Sequence, residues 1–167
     1  KKMALKIIKV GIPTAIQNTV ISLSNVIMQS SVNVFGAFSM AGFGAFIKID
    51  GFNILPVMSL SMAITTFSGQ NYGASKFERV KKGMWITLIM SIIYTIITGT
   101  LLYKFAPNVI SLFTKETKVI ESGVLAAKFF CPFYFLLAIM HSLAGTVRGT
   151  GRTVPPMIIL LVSLCAF

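Results

Sequence analysis

Long uncharged stretches separated by short charged ones dominate the pattern of apolar and polar positions in this chain. Uncharged runs cover residues 11–47, 51–75, 84–103, 129–147 and 153–167. Most of them reach the roughly 20 residues that a membrane-spanning helix needs. A turn-forming and basic segment, GQNYGASKFERVKK at residues 69–82, separates the second run from the third. A bilayer acting as solvent explains this alternation well.

The runs predict an all-α integral membrane protein, a polytopic helix bundle in which residues 1–167 form one partial transmembrane lobe. The first run is too long for one span and is interrupted at Phe35, Gly36 and Gly42. We therefore predict five spans, at about 11–34, 39–70, 84–103, 119–147 and 155–167.

The segments between the spans are predicted from their charges and length. Residues 71–83 and 148–154 are predicted to be cytoplasmic loops, and residues 105–118 a short helix on the outer membrane surface. The last span is too short to cross roughly 30 Å of hydrocarbon. Since the chain also begins with Lys1 instead of methionine, we expect it to be a fragment of a longer protein.

Composition and charge agree with a membrane protein. Hydrophobic residues make up 55% of the chain and the mean hydropathy is +0.84, above the values usual for soluble domains. The net charge of +11 is dispersed between apolar runs, which argues against a nucleic-acid partner. The amino terminus and both basic loops hold most of the basic residues, so the positive-inside rule places them in the cytoplasm of a multi-pass cell-membrane protein.

No motif in the sequence indicates an enzyme, a cofactor or a metal site. The phosphate-binding loop, the zinc-protease motif HExxH and the hydrolase motif GxSxG are absent. Cys131 and Cys165 lie inside predicted spans without a CxxC motif, so neither a disulfide framework nor a zinc site is indicated. We expect no cofactor, no bound metal and no catalytic residue.

Polar residues recur along one face of the first predicted span. Their spacing of three or four positions places them on a stripe about 100° wide, formed by Thr14, Asn18, Ser22, Asn25, Gln29 and Asn33. Such a stripe either hydrogen-bonds to a neighbouring helix or forms the wall of an aqueous cavity. The stripe has more polar residues than helix packing usually needs, so we favour the cavity.

Asp50 is an acidic residue inside the second predicted span. It shares a face with Asn53 and, if the helix bends at Pro56, with Ser61, Thr65 and Ser68. Lys48 projects in a nearly opposite direction and cannot pair with Asp50 on the same helix. Because a carboxylate in a span is costly, Asp50 either contacts substrate or coupling ion, or forms a structural ion pair with another helix.

Tyr134 and His141 of the fourth predicted span, and Arg148 directly after it, recur every seven positions and share one face. Together with Lys48, His141 and Arg148 are candidates for gating or ion pairing. A lone histidine among apolar residues is more often a hydrogen-bonded packing residue. Pro132 predicts a kink, and the GxxxG spacings at 69–73 and 145–149 are weak packing signals because they lie at helix ends.

Several motifs, taken together, resemble one transporter family. They are GIPTAIQN at residues 11–18, the triplet Lys48–Asp50, Pro56, GQNYGASKFERVKK at 69–82 and RGTGRT at 148–153. In order and spacing they are similar to the second lobe of the multidrug and toxic compound extrusion (MATE) transporters, across nearly the whole chain. The five spans resemble the seventh to tenth helices and part of the eleventh of twelve.

The resemblance implies a secondary active transporter of two six-helix lobes that exports cationic or amphipathic organic compounds by antiport with H+ or Na+. On that pattern the first two spans line a central cleft, and its candidate residues are Gln17, Asn18, Ser22, Asn25, Gln29, Asn33, Asp50 and Asn53. Gln17 matches a frequent polar position of the seventh helix, and Lys48–Asp50 match a basic-apolar-acidic triplet of the eighth. The implied partners are a small organic cation, the lipid bilayer and the missing first lobe.

The chain departs from the family pattern in its acidic residues. Some members carry acids deeper in the helices that correspond to the first and fourth spans, whereas residues 11–34 and 128–148 contain none. The first lobe is therefore an alternative location for the coupling carboxylate.

Other functions stay open as alternatives. A lipid-linked oligosaccharide flippase or polysaccharide exporter of related fold would favour cationic residues inside the cleft, but the arginines of this chain lie in predicted loops. An intramembrane enzyme would require convergent catalytic groups. A non-transporting membrane scaffold would tolerate replacement of the polar stripe.

Overall fold

The structure is a computed structural model that describes residues 2–165. Its helices are α1 (Lys2–Asn33), α2 (Ala37–Gly73), α3 (Phe77–Ser111), α4 (Thr117–Phe130), α5 (Tyr134–Gly149) and α6 (Val154–Cys165), with a 3-10 turn at Cys131–Phe133 between α4 and α5. No strand occurs within these described residues. The predicted all-α membrane helix bundle is confirmed, since α2, α3 and the joined segment Thr117–Gly149 are each long and apolar enough to cross a membrane.

The connection between α1 and α2 lies where glycine interrupts the first uncharged run. Backbone hydrogen bonds from Val34, Phe35 and Gly36 close the end of α1, and Gly36 adopts a φ of 92°, which glycine reaches without steric cost. The predicted break at Phe35 and Gly36 is therefore found. Gly42, which we had assigned to the same break, lies inside α2 instead.

The two loops predicted on the basic side are shorter than expected. Ala74–Lys76 alone connect α2 to α3, because the charged residues after Lys76 form the first turns of α3. Glu78 in that first turn is favourable, since an acidic side chain complements the positive end of a helix dipole. Residues 150–153 connect α5 to α6, with Gly151 at a φ of 81°.

The predicted surface helix at residues 105–118 is not a separate element. α3 continues through Pro107 to Ser111, and residues 112–116 form the turn before α4. Ala106 and Ile110 are fully buried against the rest of the bundle, so packing compensates for the backbone hydrogen bond that proline removes. The proline predicted a helix start at this point. The burial of Ala106 and Ile110, which keeps α3 continuous through Pro107, is not visible in the sequence pattern.

α2 is the central helix and packs against α3, α4 and α5, whereas α1 packs mainly against α6 and α2. One cluster of buried side chains joins α2, α3, α4, the 3-10 turn and α5: Phe43, Ala45, Phe46, Ile49, Ala106, Ile110, Ala127, Cys131 and Tyr134. Phe46 stacks on Phe130 with ring centroids 5.5 Å apart. The buried cluster therefore lies around one half of α2.

The closest helix contacts are made through glycine. A Cβ on Gly42 of α2 would lie 2.7 Å from the Gly123 nitrogen of α4, and a Cβ on Gly145 of α5 would lie 2.7 Å from the Ser61 carbonyl oxygen of α2. Gly149 is equally crowded by Thr65. The Gly145–Gly149 spacing, which the sequence left as a weak signal, is therefore the contact surface of α5 on α2.

We expect Gly145→Ala to destabilise the full-length protein by about 1–3 kcal/mol, the range found for overpacking a tight contact. The matched control is Gly44→Ala on α2, where a Cβ meets no atom within 4 Å. That control should be neutral, or stabilising by up to about 1 kcal/mol through helix propensity. Thermal unfolding midpoints in detergent measure both, and equal midpoints for the two variants would contradict the packing assignment.

Candidate functional site

Asp50 of α2 and Tyr134 of α5 form a side-chain pair between these two helices. The Tyr134 hydroxyl donates a hydrogen bond of 2.5 Å to Oδ1 of Asp50. Tyr134 is 7% exposed and Asp50 is half-buried. Such a charge-assisted bond is among the stronger hydrogen bonds in proteins, so it fixes the position of the carboxylate.

A small cavity adjoins this pair, with a volume of about 10 Å³, which is close to the minimum that holds one water molecule. Its polar lining comes from three helices: Asp50 and Asn53 of α2, Thr95 of α3 and Tyr134 of α5. Thr95 donates to the carbonyl oxygens of Ser91 and Ile92, so its hydroxyl oxygen remains an acceptor. The carboxylate can take up a proton, and carboxylate, amide and hydroxyl oxygens are all ligands for a hard cation.

Lys48 does not neutralise Asp50. Its side chain is exposed on another face of α2, as the two-residue spacing predicts. In residues 2–165, as far as their side chains are described, the contact found for the carboxylate is the neutral Tyr134. The sequence left open an ion pair between Asp50 and another helix, whereas in the structure the group that contacts Asp50 from another helix is the Tyr134 hydroxyl.

The polar residues of α2 beyond Pro56, which are Ser61, Thr65 and Ser68, lie at the packing surface between α2 and α5 and do not line the cavity beside Asp50. Ser61 donates to the His141 carbonyl oxygen at 2.8 Å. The Thr65 hydroxyl proton is shared between the Ser61 carbonyl oxygen of its own helix at 2.7 Å and the Gly145 carbonyl oxygen at 3.0 Å. Ser68 is fully buried beside Gly149, and its hydroxyl has no hydrogen-bond partner among the described residues. These contacts join α2 to α5 next to the glycines described above, so this part of α2 has a structural role.

His141 and Arg148 lie on the same face of α5, one and two heptads beyond Tyr134. Nδ1 of half-buried His141 lies 3.0 Å from the Leu137 carbonyl oxygen of its own helix. Arg148 donates from Nε to the Ala144 carbonyl oxygen at 3.3 Å and from Nη2 to the Ser61 hydroxyl at 3.5 Å. Arg148 therefore contacts α2 at Ser61, the hydrogen bond found for the His141 ring is to its own helix, and neither side chain bonds to Asp50.

The polar stripe of α1 is largely uncovered. Thr14 is half-buried, and the others are exposed: Asn18, Ser22, Asn25, Gln29 and Asn33. The apolar face of α1 is exposed too, with Leu23 59% and Ile27 60% exposed. The described helices thus do not bury this stripe, and it stays separate from the pair of Asp50 and Tyr134.

Gln17 lies on a different face of α1 from the stripe and is 6% exposed. It lines a cleft of about 470 Å³ together with residues of α5 and α6. The family resemblance grouped Gln17 with the stripe in one central cleft. By the helical period Gln17 lies roughly 110° from the stripe around the helix axis, and in the structure it faces α5 and α6.

Tyr134 and Thr95 line the cavity beside Asp50, and the sequence pattern does not indicate either as a candidate for the site. Tyr134 shows only its seven-residue register with His141. Thr95 lies in a long apolar run of α3 and carries no signal of its own. Both acquire a role because helix packing brings three segments of the chain to one point.

Known proteins similar to this chain were identified by sequence and by structure. A family model described as MatE matches residues 13–167. Probable multidrug resistance protein NorM of Thermotoga maritima is 33% identical over 159 residues, which are 95% of this chain and 34% of that protein. Probable multidrug resistance protein YoeA of Bacillus subtilis is 26% identical over 163 residues, again 95% of this chain and 34% of that protein.

The fold has a close counterpart among solved structures. A MOP superfamily transporter from Pyrococcus furiosus superposes with a TM-score of 0.88 at 19% identity, over 96% of this chain and 35% of that chain. At this identity the likeness establishes the fold alone. The chain spans about a third of the length of the relatives it matches.

We expect Tyr134→Phe to lower the stability of the full-length protein by about 1.5–3 kcal/mol, because the carboxylate loses a charge-assisted hydrogen bond. In the background of Asp50→Asn the same change should cost less, since the charged acceptor is already gone. Tyr103→Phe, at an exposed tyrosine of α3, is the matched control and should change little. Unfolding midpoints of the parent, the two single variants and the double variant test this. If the effects of the two single changes simply add in the double variant, the two side chains do not form the pair.

Proposed function

Since the chain belongs to the MatE family, we propose that the whole protein is a secondary transporter that exports cationic or amphipathic organic compounds by antiport with protons or sodium ions. Two of its relatives are named probable multidrug resistance proteins, which supports drug export as the general activity. We place the protein in the cell membrane, with Lys1 and the basic turns on the cytoplasmic side, from the distribution of basic residues.

The observation that carries the coupling proposal is the carboxylate of Asp50 bound to the neutral Tyr134 hydroxyl. An ionised carboxylate among membrane helices is costly unless a cation neutralises it. A proton or a sodium ion bound beside Asp50, Asn53 and Thr95 would supply that charge. Binding and release of the ion then change the charge of the site, which is what coupling requires.

Tyr134 gives the site a route to conformational change. It is the first residue of α5 and follows directly on the 3-10 turn Cys131–Phe133, which contains Pro132. Bending at this turn moves the Tyr134 hydroxyl relative to α2. We propose that neutralising Asp50 weakens the hydrogen bond and favours this bending, and that Pro56 of α2 is a second bending point.

The exposed stripe of α1 is rich in amide groups and is suited to contact substrates. Amide and hydroxyl groups both donate and accept hydrogen bonds, so they suit chemically varied compounds. We propose that the stripe faces the central cleft between this lobe and the other lobe of the longer protein. Asp50 is then the acidic group in this lobe that balances the charge of an organic cation.

Asp50→Asn in the full-length protein is expected to reduce gradient-driven efflux of ethidium from proteoliposomes more than about tenfold, because the amide cannot bind or release a proton and attracts cations weakly. Proton and sodium gradients are imposed in separate experiments, so the same assay identifies the coupling ion. Glu121→Gln, at an exposed acid of α4, should transport like the parent. Unchanged efflux by the Asp50→Asn protein would assign coupling to the first lobe.

A double change of Asn25 and Gln29 to leucine is expected to raise the KM for ethidium by roughly tenfold, because two hydrogen-bonding groups are lost from the stripe. Ile27→Leu on the opposite, exposed face of α1 controls for the position in the helix. Initial efflux rates at several ethidium concentrations measure KM. An unchanged KM would favour the scaffold alternative for this face.

A further inference from the structure

The cleft between α3 and the start of α5 combines an apolar wall with a lysine at one end. It has a volume of about 320 Å³ and is bordered by α3, the 3-10 turn and the first turn of α5. Ile96, Pro132 and Phe135 supply its apolar wall, and Lys104 is the charged residue of its lining. No acidic side chain of the described residues lines the cleft, so the charge that it presents is positive.

The length of this cleft matches one leaflet of a bilayer. On α3 its lining extends from Thr95 to Lys104, which is about 13.5 Å at the rise of an α-helix. The hydrocarbon core of a membrane is about 30 Å thick, so one leaflet contributes about 15 Å. The uncharged run 84–103 ends directly before Lys104, which places this lysine at the edge of the hydrocarbon, where the lipid headgroups begin.

A second lysine lies at a similar height in the bundle. A Cβ on Gly99 of α3 would lie 3.2 Å from the Cys131 carbonyl oxygen, so these two residues are level. Because α3 and α4 run in opposite directions, Lys104 lies roughly 7.5 Å and Lys128 roughly 4.5 Å from that level, both toward the same end of the bundle.

Both lysines can reach one bound headgroup. Lys128 precedes Pro132 of the apolar wall by four positions, so the two residues share a side of this segment. The side chains of Lys104 and Lys128 are exposed, and long lysine side chains extend along apolar surface toward the polar interface. Two ammonium groups beside one end of an apolar cleft complement a phosphate that carries an acyl chain.

The other described helices leave this cleft open to the membrane. α1 packs mainly against α6 and α2, and α6 meets α5 along residues 140–147, beyond the part of α5 that borders the cleft. Ile96 is 55% and Phe135 41% exposed. In a bilayer, exposed apolar side chains at this depth contact acyl chains.

We propose that this cleft binds one anionic phospholipid of the leaflet opposite the basic turns. Its phosphate lies beside Lys104 and Lys128, and one acyl chain follows the apolar wall toward Thr95. A zwitterionic lipid fits the same wall, but its headgroup has no net charge, so the lysines favour the anionic lipid. The proposal concerns the lipid-facing surface and does not depend on which compound the whole protein exports.

Photolabelling of the full-length protein in phosphatidylcholine vesicles tests this site. Two probes carry a diazirine in the middle of one acyl chain, one with a phosphatidylglycerol and one with a phosphatidylcholine headgroup, and each is added at the same mole fraction. After illumination, mass spectrometry of chymotryptic peptides measures the label on residues 95–104 and 131–135. The phosphatidylglycerol probe should label them at least about fivefold more strongly, as expected for one or two lysines near a lipid phosphate.

Variants at the lysines assign the preference to the headgroup site. Lys104→Gln should lower the ratio of the two labels by about fivefold, and the further change Lys128→Gln should bring it to about one. Lys104→Arg keeps the charge and should keep the ratio. Lys115→Gln is the matched control, since Lys115 is an exposed lysine in the turn before α4 and does not line the cleft.

A variant of the wall tests whether the acyl chain lies in the cleft. Thr100 is an exposed lining residue, and Thr100→Trp fills the cleft, so both probes should label these peptides less. The proposal is overturned by equal labelling of the parent with the two probes, by a ratio that the two lysine changes leave as it was, or by labelling that Thr100→Trp does not reduce. Absence of label on these peptides, as when another segment of the longer chain covers the cleft, overturns it too.

Discussion

The close approach of α2 to α4 and α5 through residues without bulky side chains is the constraint on which the rest of the structure depends. Lipid offers apolar side chains nearly the same surroundings as another helix does, so membrane helices associate through close contact and hydrogen bonds. Gly42 meets Gly123 near one end of α2, and Gly145 and Gly149 meet Ser61 and Thr65 near the other. These two contacts fix the position of α2 against the bent α4 to α5 segment.

That position brings together the candidate site residues Asp50 and Tyr134. Asp50 lies on α2 between the two glycine contacts, and Tyr134 begins α5 directly after the 3-10 turn. The hydrogen bond between them joins residues that are 84 positions apart in sequence, so it depends on how α2 packs against α5. A site built in this way responds to changes in helix packing, which suits a protein that we propose to alternate between conformations.

The polar residues of the bundle divide into two kinds by what they contact. Ser61 and Thr65 donate to carbonyl oxygens of α5 and hold helices together. Asn25 and Gln29 of α1 are exposed, and Oε1 of Gln17 is buried without a partner. The hydrogen-bonded and the unbonded polar residues are of similar types and have similar spacing. Whether a neighbouring helix offers a hydrogen-bond partner is what separates a packing residue from a polar residue left free.

The sequence by itself determined the membrane helix bundle, the break at Gly36 and the family, because apolar run length, turn glycines and motif order are local properties of the chain. It also identified Asp50 as the acid of interest, since a carboxylate in a span is costly wherever it points. Only the tertiary structure decided that Tyr134 is its partner, that Gln17 faces a different cleft from the stripe, and that α3 continues through Pro107. These outcomes depend on which helices touch and on how far along the bundle axis they are placed relative to one another. The 3.6-residue period defines the faces of one helix but does not specify which helix packs against each face.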